Sequence, residues 1–329
     1  MHRRVPGGYS RSLAIVLSVA GSIFVVVHFA DFERFLRLLR QARPIWLLGA
    51  IGLQTLTYIS VATGWRLVLA RAGNSRSLTS LLPIALSKLF ADQAVPAAGM
   101  GGNLLLIDRL TRLGVSRGNA AATLIASLIG YYVAYAFLAL VMIFVLWLQR
   151  DATPLLVGLV TAFMLVALAI PSLALWLRSR GSKPLSPRIE RFKPIARLLE
   201  VIGDAPAALV KDRRLLAQVS VCNGLVFLAD SMTLAVVMMA MGLPFAPGAA
   251  FLGLMAGSIS GTLSPIPMGL GTFEAAATAM LVSLGAPFEG ALASVLVLRG
   301  FTLWLPLFPS FYLLRKGGYV DGPDGPKGR

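Results

Sequence analysis

The sequence has little of what metal centres and disulfide frameworks require. It contains one cysteine and two histidines in 329 residues, which excludes a disulfide network and makes a histidine metal site improbable. Charged residues are also scarce at 13%, and only 14 of them are acidic against 30 basic ones. Hydrophobic residues make up 57% of the chain, which is typical of an integral membrane protein and not of a soluble domain.

The basic excess has a simple interpretation in a membrane protein. Most Lys and Arg residues lie between apolar runs, so we expect them to meet anionic lipid headgroups and predict no nucleic-acid partner. We also expect no cofactor.

The apolar runs predict an all-α polytopic protein. Six runs are close to or above the ~20 residues that cross a bilayer as a helix. They are residues 13–29, 45–70, 120–148, 155–177, 215–241 and 291–314. Two more apolar regions, 78–110 and 249–284, are interrupted in the middle by Pro and Gly. Each is predicted to form a broken, re-entrant helical hairpin, because irregular backbone at membrane depth must be buried in protein or line a cavity.

Charge in the loops predicts the orientation. The segment 178–214 carries ten Lys or Arg against four Asp or Glu, whereas 242–248 carries no charge. The positive-inside rule places the first segment in the cytoplasm. Six spans and two returning hairpins then put both termini in the cytoplasm. We expect residues 1–329 to form a single transmembrane domain.

The two broken regions share a pattern of small residues. Both contain Pro, then G-x-G, then Leu-Gly, then A-x-A-[ST]. The matched glycines are 170 residues apart in the G-x-G motif (269 − 99) and 171 apart in Leu-Gly (285 − 114). Three predicted spans lie between the A-x-A-[ST] copies, so the copies face opposite ways. This pattern predicts an inverted repeat, about 78–148 and 249–314, although small residues also recur by chance in membrane helices. Broken helices at matching positions of an inverted repeat are typical of a transport site near the midplane.

The stretch "SPIPMGLGTFEAAATAMLVSLGAPFEGALASVLVLRG" resembles a motif of the lysylphosphatidylglycerol synthase transmembrane-region family. The motif combines a Pro-rich break, G-x-G, a glutamate three residues on and an arginine in the next span. In this chain its residues are Pro265, Pro267, Gly269, Gly271, Glu274 and Arg299. The first region resembles the family less closely, because the family often has a glutamate at the break. Here the residues are Pro96, Gly99, Gly101, Gly102 and Asn103, with Asp108 and Arg109 following.

The resemblance implies two re-entrant hairpins that enter a bacterial cytoplasmic membrane from opposite faces. It also implies movement of polar-headed lipids between leaflets, which makes the protein similar to the flippase part of bacterial multiple-peptide-resistance proteins. Anionic or aminoacylated phospholipids are the substrates this suggests, and some relatives are associated with isoprenoid-linked lipids or hopanoids. The aminoacyl-transferring domain of the full-length synthases is absent from this sequence, so we expect no enzymatic synthesis of aminoacyl-lipid.

Substrate-binding roles follow for the motif residues. Glycines at a break let backbone N–H groups point at a phosphate, and a helix that starts near Thr272 adds about half a positive charge. Arg299 can bind phosphate oxygens bidentately. Glu274 would pair with Arg299 or meet a headgroup amine, and the alternative is a purely structural ion pair. Pro96, Gly99, Gly101 and Asn103 are the corresponding candidates in the first region.

Two other charged residues are candidates. Asp230 is midway through an apolar span with no basic residue within one turn in sequence, so a proton-carrying role and a neutral, hydrogen-bonded structural role are both open. Arg109 is predicted to be a headgroup anchor at the cytoplasmic surface.

Two other functions compete with lipid transport: a non-catalytic membrane partner that recruits a lipid or glycan synthesis enzyme, and a polytopic transferase. The absence of Asp-x-Asp and of large outer loops argues against the transferase.

Overall fold

The computed structural model describes residues 40, 42–94, 100–149, 153–180, 203–266, 269–303 and 305–306. These residues form helices and connecting turns, and no strand occurs among them. The all-α polytopic prediction is therefore confirmed. The helices in chain order are α1 (Pro44–Arg71), α2 (Leu78–Ala94), α3 (Met100–Arg112), α4 (Arg117–Leu148), α5 (Pro154–Arg180), α6 (Ala207–Val210), α7 (Arg213–Ala240), α8 (Pro247–Leu263), α9 (Thr272–Ser283) and α10 (Phe288–Leu303).

Four of the described helices are long and apolar enough to cross a membrane: α1, α4, α5 and α7. They coincide with four of the six predicted spans to within three residues at each end. The first predicted span, 13–29, lies outside the described residues, as does most of the loop 178–214. The last predicted span, 291–314, begins three residues early as α10, which ends at Leu303, and residues 304 and 307–314 lie outside the described residues.

Large apolar side chains on the outer faces of α4 and α5 are exposed. Phe137, Leu140, Phe144, Leu165 and Leu168 are each more than half exposed in the isolated chain. A largely apolar surface of this kind, on helices of 32 and 27 residues, is what lipid tails would cover.

The centre of the fold is an antiparallel pair, α1 and α7. At one end of the pair the Arg43 backbone N–H donates to the Ala240 carbonyl at 3.1 Å. At the other end Arg71 forms a 2.9 Å ion pair with Asp212. The start of each helix thus lies against the end of the other, and the pair stays in contact over its full length.

Each broken region is a hairpin of two short helices that returns to the end at which it enters. In the first, α2–α3, Arg76 before α2 donates to the Leu113 carbonyl after α3 at 2.7 Å. In the second, α8–α9, Leu243 before α8 packs against Gly290 after α9. Leu243 follows the end of α7 and Arg76 follows the end of α1, so the hairpins enter from opposite ends of the α1–α7 pair.

The two helix sets have matching lengths. Helices α1, α2 and α3 contain 28, 17 and 13 residues, and α7, α8 and α9 contain 28, 17 and 12. The turns match as well. Gly73 and Gly242 end α1 and α7 with positive φ angles of 72° and 84°, and Gly114 and Gly285 end α3 and α9 with 78° and 94°. A helix that stops in a left-handed residue favours glycine, which has no Cβ to clash with the carbonyl.

Candidate functional site

A stripe of glycines holds the second hairpin together. Gly253, Gly257 and Gly261 recur every four residues on the face of α8 that packs against α9. A Cβ on Gly257 would lie 3.0 Å from the Ala277 Cβ and from the Phe273 carbonyl. The missing side chains therefore let the two helix backbones approach closely, as small-residue stripes do in membrane helices.

The break between α8 and α9 depends on Gly269. Its φ is 62°, and a Cβ there would lie 2.6 Å from the Gly261 Cα. Both the backbone conformation and the close approach exclude a side chain. Of the two predicted break prolines, Pro265 lies between α8 and Gly269, and Pro267 is outside the described residues.

Glu274 caps the N-terminus of α9. Its Oε2 accepts a hydrogen bond of 2.6 Å from the backbone N–H of Gly271, the residue that precedes the helix. A carboxylate in the first turn also interacts favourably with the positive end of the helix dipole. Gly271 has no side chain to return the bond, so only the glutamate half of a capping box is formed.

The other oxygen of Glu274 binds Arg299. Nε of Arg299 donates to Oε1 at 2.8 Å, and both side chains are only 14% exposed. Arg299 belongs to α10, and its Cζ lies 4.8 Å from the ring centroid of Phe273, within the range of a cation–π interaction. The charge pair is thus enclosed by the hairpin break, α10 and an aromatic ring.

The predicted backbone donors have acceptors within the protein. The N–H of Gly271 donates to Glu274, and the N–H of Gly269 donates to the Ile266 carbonyl at 3.0 Å. The expectation that these groups point at a phosphate is therefore not met in this conformation. The reason is that Glu274 supplies an anion of the protein's own at the helix N-terminus.

Asp230 lies in a separate polar group on the α1–α7 pair. Its Oδ1 accepts a 2.8 Å hydrogen bond from Gln54 of α1, and the same Gln54 amide donates to Thr233 at 3.3 Å. Gln54 is 2% exposed and Asp230 is partly exposed. The hydroxyl of Tyr58, one turn from Gln54, is buried without a hydrogen-bond partner among the described residues.

Aromatic side chains connect this region to the second hairpin. Tyr131 of α4 packs against Tyr135 with ring centroids 5.7 Å apart and against Phe227 of α7 at 5.3 Å. The hydroxyl of Tyr135, which is fully buried, lies 3.4 Å from the Thr262 hydroxyl near the end of α8. The cluster therefore joins α7, α4 and the helix that leads into the break.

The first hairpin has no equivalent ion pair among its described residues. Asn103 and Gly101 lie in the first turn of α3, whereas Pro96 and Gly99 lie outside the described residues. Asp108 forms a 2.9 Å pair with Arg112, one turn along the same helix. Arg109 is half-buried on α3 beside that pair.

Sequence reasoning missed three contributors to these groups. Gln54 is a polar residue within an apolar span, which was a usable signal, but its partner is 176 residues away. Phe273 looked like an ordinary apolar residue, yet it packs on Arg299. The four-residue glycine spacing in α8 was visible and predicts close packing against a neighbouring helix.

Comparison with known protein families agrees with the fold and the motif. Among curated proteins no match to the chain was found. The family model for the lysylphosphatidylglycerol synthase TM region matches residues 12–310, which include both hairpins and the α1–α7 pair. The similarity to the family is thus not confined to the motif in the second hairpin but covers most of the sequence. The chain belongs to the lysylphosphatidylglycerol synthase transmembrane-region family.

Proposed function

We propose that this protein moves polar-headed lipids between the leaflets of a bacterial cytoplasmic membrane, with the headgroup meeting Glu274 and Arg299. The observation that carries the proposal is the 2.8 Å ion pair between Arg299 and Glu274 at the break of a membrane hairpin. Each of the two side chains is 14% exposed. The proposal makes the protein a transporter and not an enzyme. Family membership supports the lipid-related class.

The energetics of a buried ion pair favour a functional role. Taking two charges out of water costs several kcal/mol per ion, and their attraction often does no more than compensate for that cost. Apolar residues of similar volume would stabilise the hairpin equally well or better. A charge pair inside a membrane is therefore better explained by a ligand that needs both signs.

The pair also favours one class of headgroup. A phosphate that binds Arg299 competes with the Glu274 carboxylate for the guanidinium, which weakens the pairing of Glu274 with its cation. A headgroup that carries an amine beside the phosphate supplies a new partner to each side chain at once. We therefore infer a preference for zwitterionic or aminoacylated headgroups over headgroups with only a negative charge.

We propose further that the two halves form an inverted repeat around the α1–α7 pair. The equal helix lengths, the matched left-handed glycines and the opposite entry of the two hairpins support this arrangement. Basic residues cluster at the end where the first hairpin enters, including Arg71, Arg76, Arg112, Arg117 and Arg178. By the positive-inside rule that end faces the cytoplasm, which also supports cytoplasmic termini.

A second candidate function is a membrane partner that recruits a lipid or glycan synthesis enzyme without moving lipid. One observation favours it: Glu274 already caps α9 and binds Arg299, so both of its oxygens have partners within the protein. In that case the ion pair is structural and no headgroup displaces it.

A leaflet-exchange assay in proteoliposomes separates the two candidates. The labelled probes are phosphatidylglycerol, lysyl-phosphatidylglycerol, phosphatidylethanolamine and an isoprenoid phosphate. Wild type is compared with Glu274→Gln, which keeps an acceptor for the Gly271 N–H but removes the charge. The matched control is Glu289→Gln, an exposed glutamate in the first turn of α10, the helix that carries Arg299.

The transport proposal predicts exchange above that of protein-free vesicles, fastest for the amine-bearing lipids. Glu274→Gln should lose it, and Glu289→Gln should keep it. Exchange that is the same in both variants would contradict the site. No exchange of any probe by wild type would favour the recruiting partner.

A further inference from the structure

The polar group around Asp230 lies at the middle of the α1–α7 pair. The contacts that end the pair join residue 43 to 240 and residue 71 to 212. Residues 57 and 226 are halfway between these ends. Asp230 is one helical turn from residue 226, and Gln54 is one turn from residue 57, both toward the end at which Arg43 meets Ala240. In transporters built from opposed halves, coupling ions bind at this level, near the midplane and between the halves.

The hydrogen bonds of this group are incomplete. Asp230 Oδ1 accepts from Gln54, and among the described residues Oδ2 has no hydrogen-bond donor. The Tyr58 hydroxyl, 9% exposed as a residue, has no partner either. An unpaired buried hydroxyl in a membrane is costly, and ionisable residues inside a membrane mark proton or ion pathways.

Among the described residues of the helices packed against α7, no basic side chain forms an ion pair with Asp230. Arg66 of α1 and Arg117 at the start of α4 are exposed, and Arg71 of α1 pairs with Asp212. Tyr58 of α1 and Tyr131 of α4 are neutral phenols within its electrostatic range, and Tyr132 adjoins Tyr131. Helix α8 has no ionisable residue. Helix α10 contains Glu289, which is exposed at its start, and Arg299, which is paired with Glu274. A carboxylate here would be an uncompensated charge in hydrocarbon, so it requires a cation.

A mechanical path leads from Asp230 to the second hairpin. Asp230 lies one turn from Phe227, which packs against both Tyr131 and Tyr135. Tyr135 in turn lies against Thr262, two residues before the break that leads to Glu274. A change in charge at Asp230 can therefore alter the packing of α8.

We propose that Asp230 is a proton-binding site that couples lipid movement to the proton gradient. The inference rests on the proposed transport function and goes beyond it, since it assigns an energy source. The Asp230 carboxylate takes a proton from the aqueous space on one side and releases it on the other, and no bond other than O–H forms or breaks. A sodium ion is disfavoured because the Gln54 amide donates to both Asp230 Oδ1 and the Thr233 hydroxyl, which occupies two of the oxygens that a hard metal ion would need.

The test is leaflet exchange in proteoliposomes with an imposed pH gradient of one unit, using wild type and Asp230→Asn. Asparagine keeps an acceptor for Gln54 but cannot release a proton. The control is Asn223→Ala, because Asn223 is also on α7 and its amide donates only to its own helix, at the Val219 carbonyl. If one proton moves with each lipid, wild type should shift the leaflet distribution up to about tenfold. Asp230→Asn should exchange lipid without responding to the gradient.

Two results with the wild-type protein would overturn proton coupling. Wild-type exchange that ignores the pH gradient overturns proton coupling and leaves lipid transport intact. A response to a sodium gradient at constant pH also overturns it. Both of these results are measured on the wild-type protein, so they are valid even if the Asp230→Asn variant misfolds.

A second measurement covers the case in which wild type moves none of the probes. Infrared difference spectra of the reconstituted protein between high and low pH should show a protonated-carboxyl band that disappears in Asp230→Asn. The band supports the proton site independently of transport. Its absence overturns the inference even if lipid exchange is observed.

Discussion

The two hairpins have the same architecture and different chemistry. Helices α2 and α8 contain 17 residues each, and α3 and α9 contain 13 and 12. With the 171-residue offset between Gly114 and Gly285, Glu274 corresponds to Asn103 (274 − 171) and Arg299 to Leu128 (299 − 171). Both members of the ion pair are therefore replaced by neutral residues in the first half, Asn103 on α3 and Leu128 on α4. A hairpin of this architecture therefore forms without such a pair, which supports a ligand as the reason for the pair in the second hairpin.

The hairpins also differ in how their helices pack. Helix α8 presents three glycines to α9, whereas α2 contains no glycine and has a proline, Pro83, inside it. Close backbone contact fixes α9 and the charge pair that begins it. The second hairpin is thus built as the more rigid support for charged groups.

Removing one charge from the second hairpin should have the largest effect. Arg299→Leu leaves Glu274 buried without its cation, which we expect to cost about 3–5 kcal/mol of stability. Replacing both residues with their first-hairpin counterparts, Glu274→Asn with Arg299→Leu, should recover most of that loss. Thermal unfolding in detergent compares the two variants with wild type. A double variant as unstable as the single one would show that the pair stabilises the fold.

Disturbing the glycine stripe should have the next largest effect. Gly257→Ala places a methyl group 3.0 Å from Ala277 and Phe273, and overpacking of this kind costs about 1–3 kcal/mol. Gly248→Ala is the control, because a Cβ at the start of the same helix meets nothing within 4 Å. Equal melting temperatures for the two variants would refute the close packing of α8 and α9.

Introducing an ion pair at the corresponding positions of the first half tests whether the two halves are structurally equivalent. Asn103→Glu and Leu128→Arg should each destabilise the protein, because each introduces a charge without a partner. If the halves are structurally equivalent, the double variant should be more stable than the sum of the single ones by about 0.5–3 kcal/mol. Additive effects would contradict the equivalence of the two hairpins.

The smallest change in melting temperature is expected for a substitution of Asp212, which lies at the basic end of the α1–α7 pair, away from both hairpin breaks. Asp212 caps α7, and hydrogen bonding from the Leu215 backbone N–H, together with Arg71, lowers the pKa of its carboxyl below its usual value. Because the folded-state pKa is depressed, the stabilisation is present above the unfolded-state pKa of about 3.9 and is lost as the pH falls through the folded-state value. Asp212→Ala should therefore melt below wild type at neutral pH, and the gap should shrink in acid. A gap that is constant with pH would exclude the carboxylate as its source.

Much of the fold could be predicted from the sequence because the membrane imposes strong local rules. Apolar runs of sufficient length located α1, α4, α5 and α7. Clustered Pro and Gly located the two helix breaks, since an interrupted backbone cannot face lipid. These signals depend only on neighbours in sequence.

The site was less accessible to sequence reasoning because its contacts are between distant residues. The Glu274–Arg299 pair was one of two interpretations, and the other had Glu274 meeting a headgroup amine. The Gly271 N–H was expected to face a ligand, and it donates to Glu274 instead. The bond between Asp230 and Gln54 follows from the packing of α7 on α1, which no local pattern indicates.

Lipid exchange by the double variant Glu274→Asn with Arg299→Leu tests most directly whether the headgroup meets the ion pair, because this variant carries the neutral residues of the first half. Its melting temperature, measured on the same preparation, establishes that the variant is folded. We predict a folded protein that moves neither lysyl-phosphatidylglycerol nor phosphatidylethanolamine faster than protein-free vesicles, whereas wild type moves both. A folded double variant that exchanges these lipids at the wild-type rate would show that the headgroup does not need the ion pair and that the pair is a structural element.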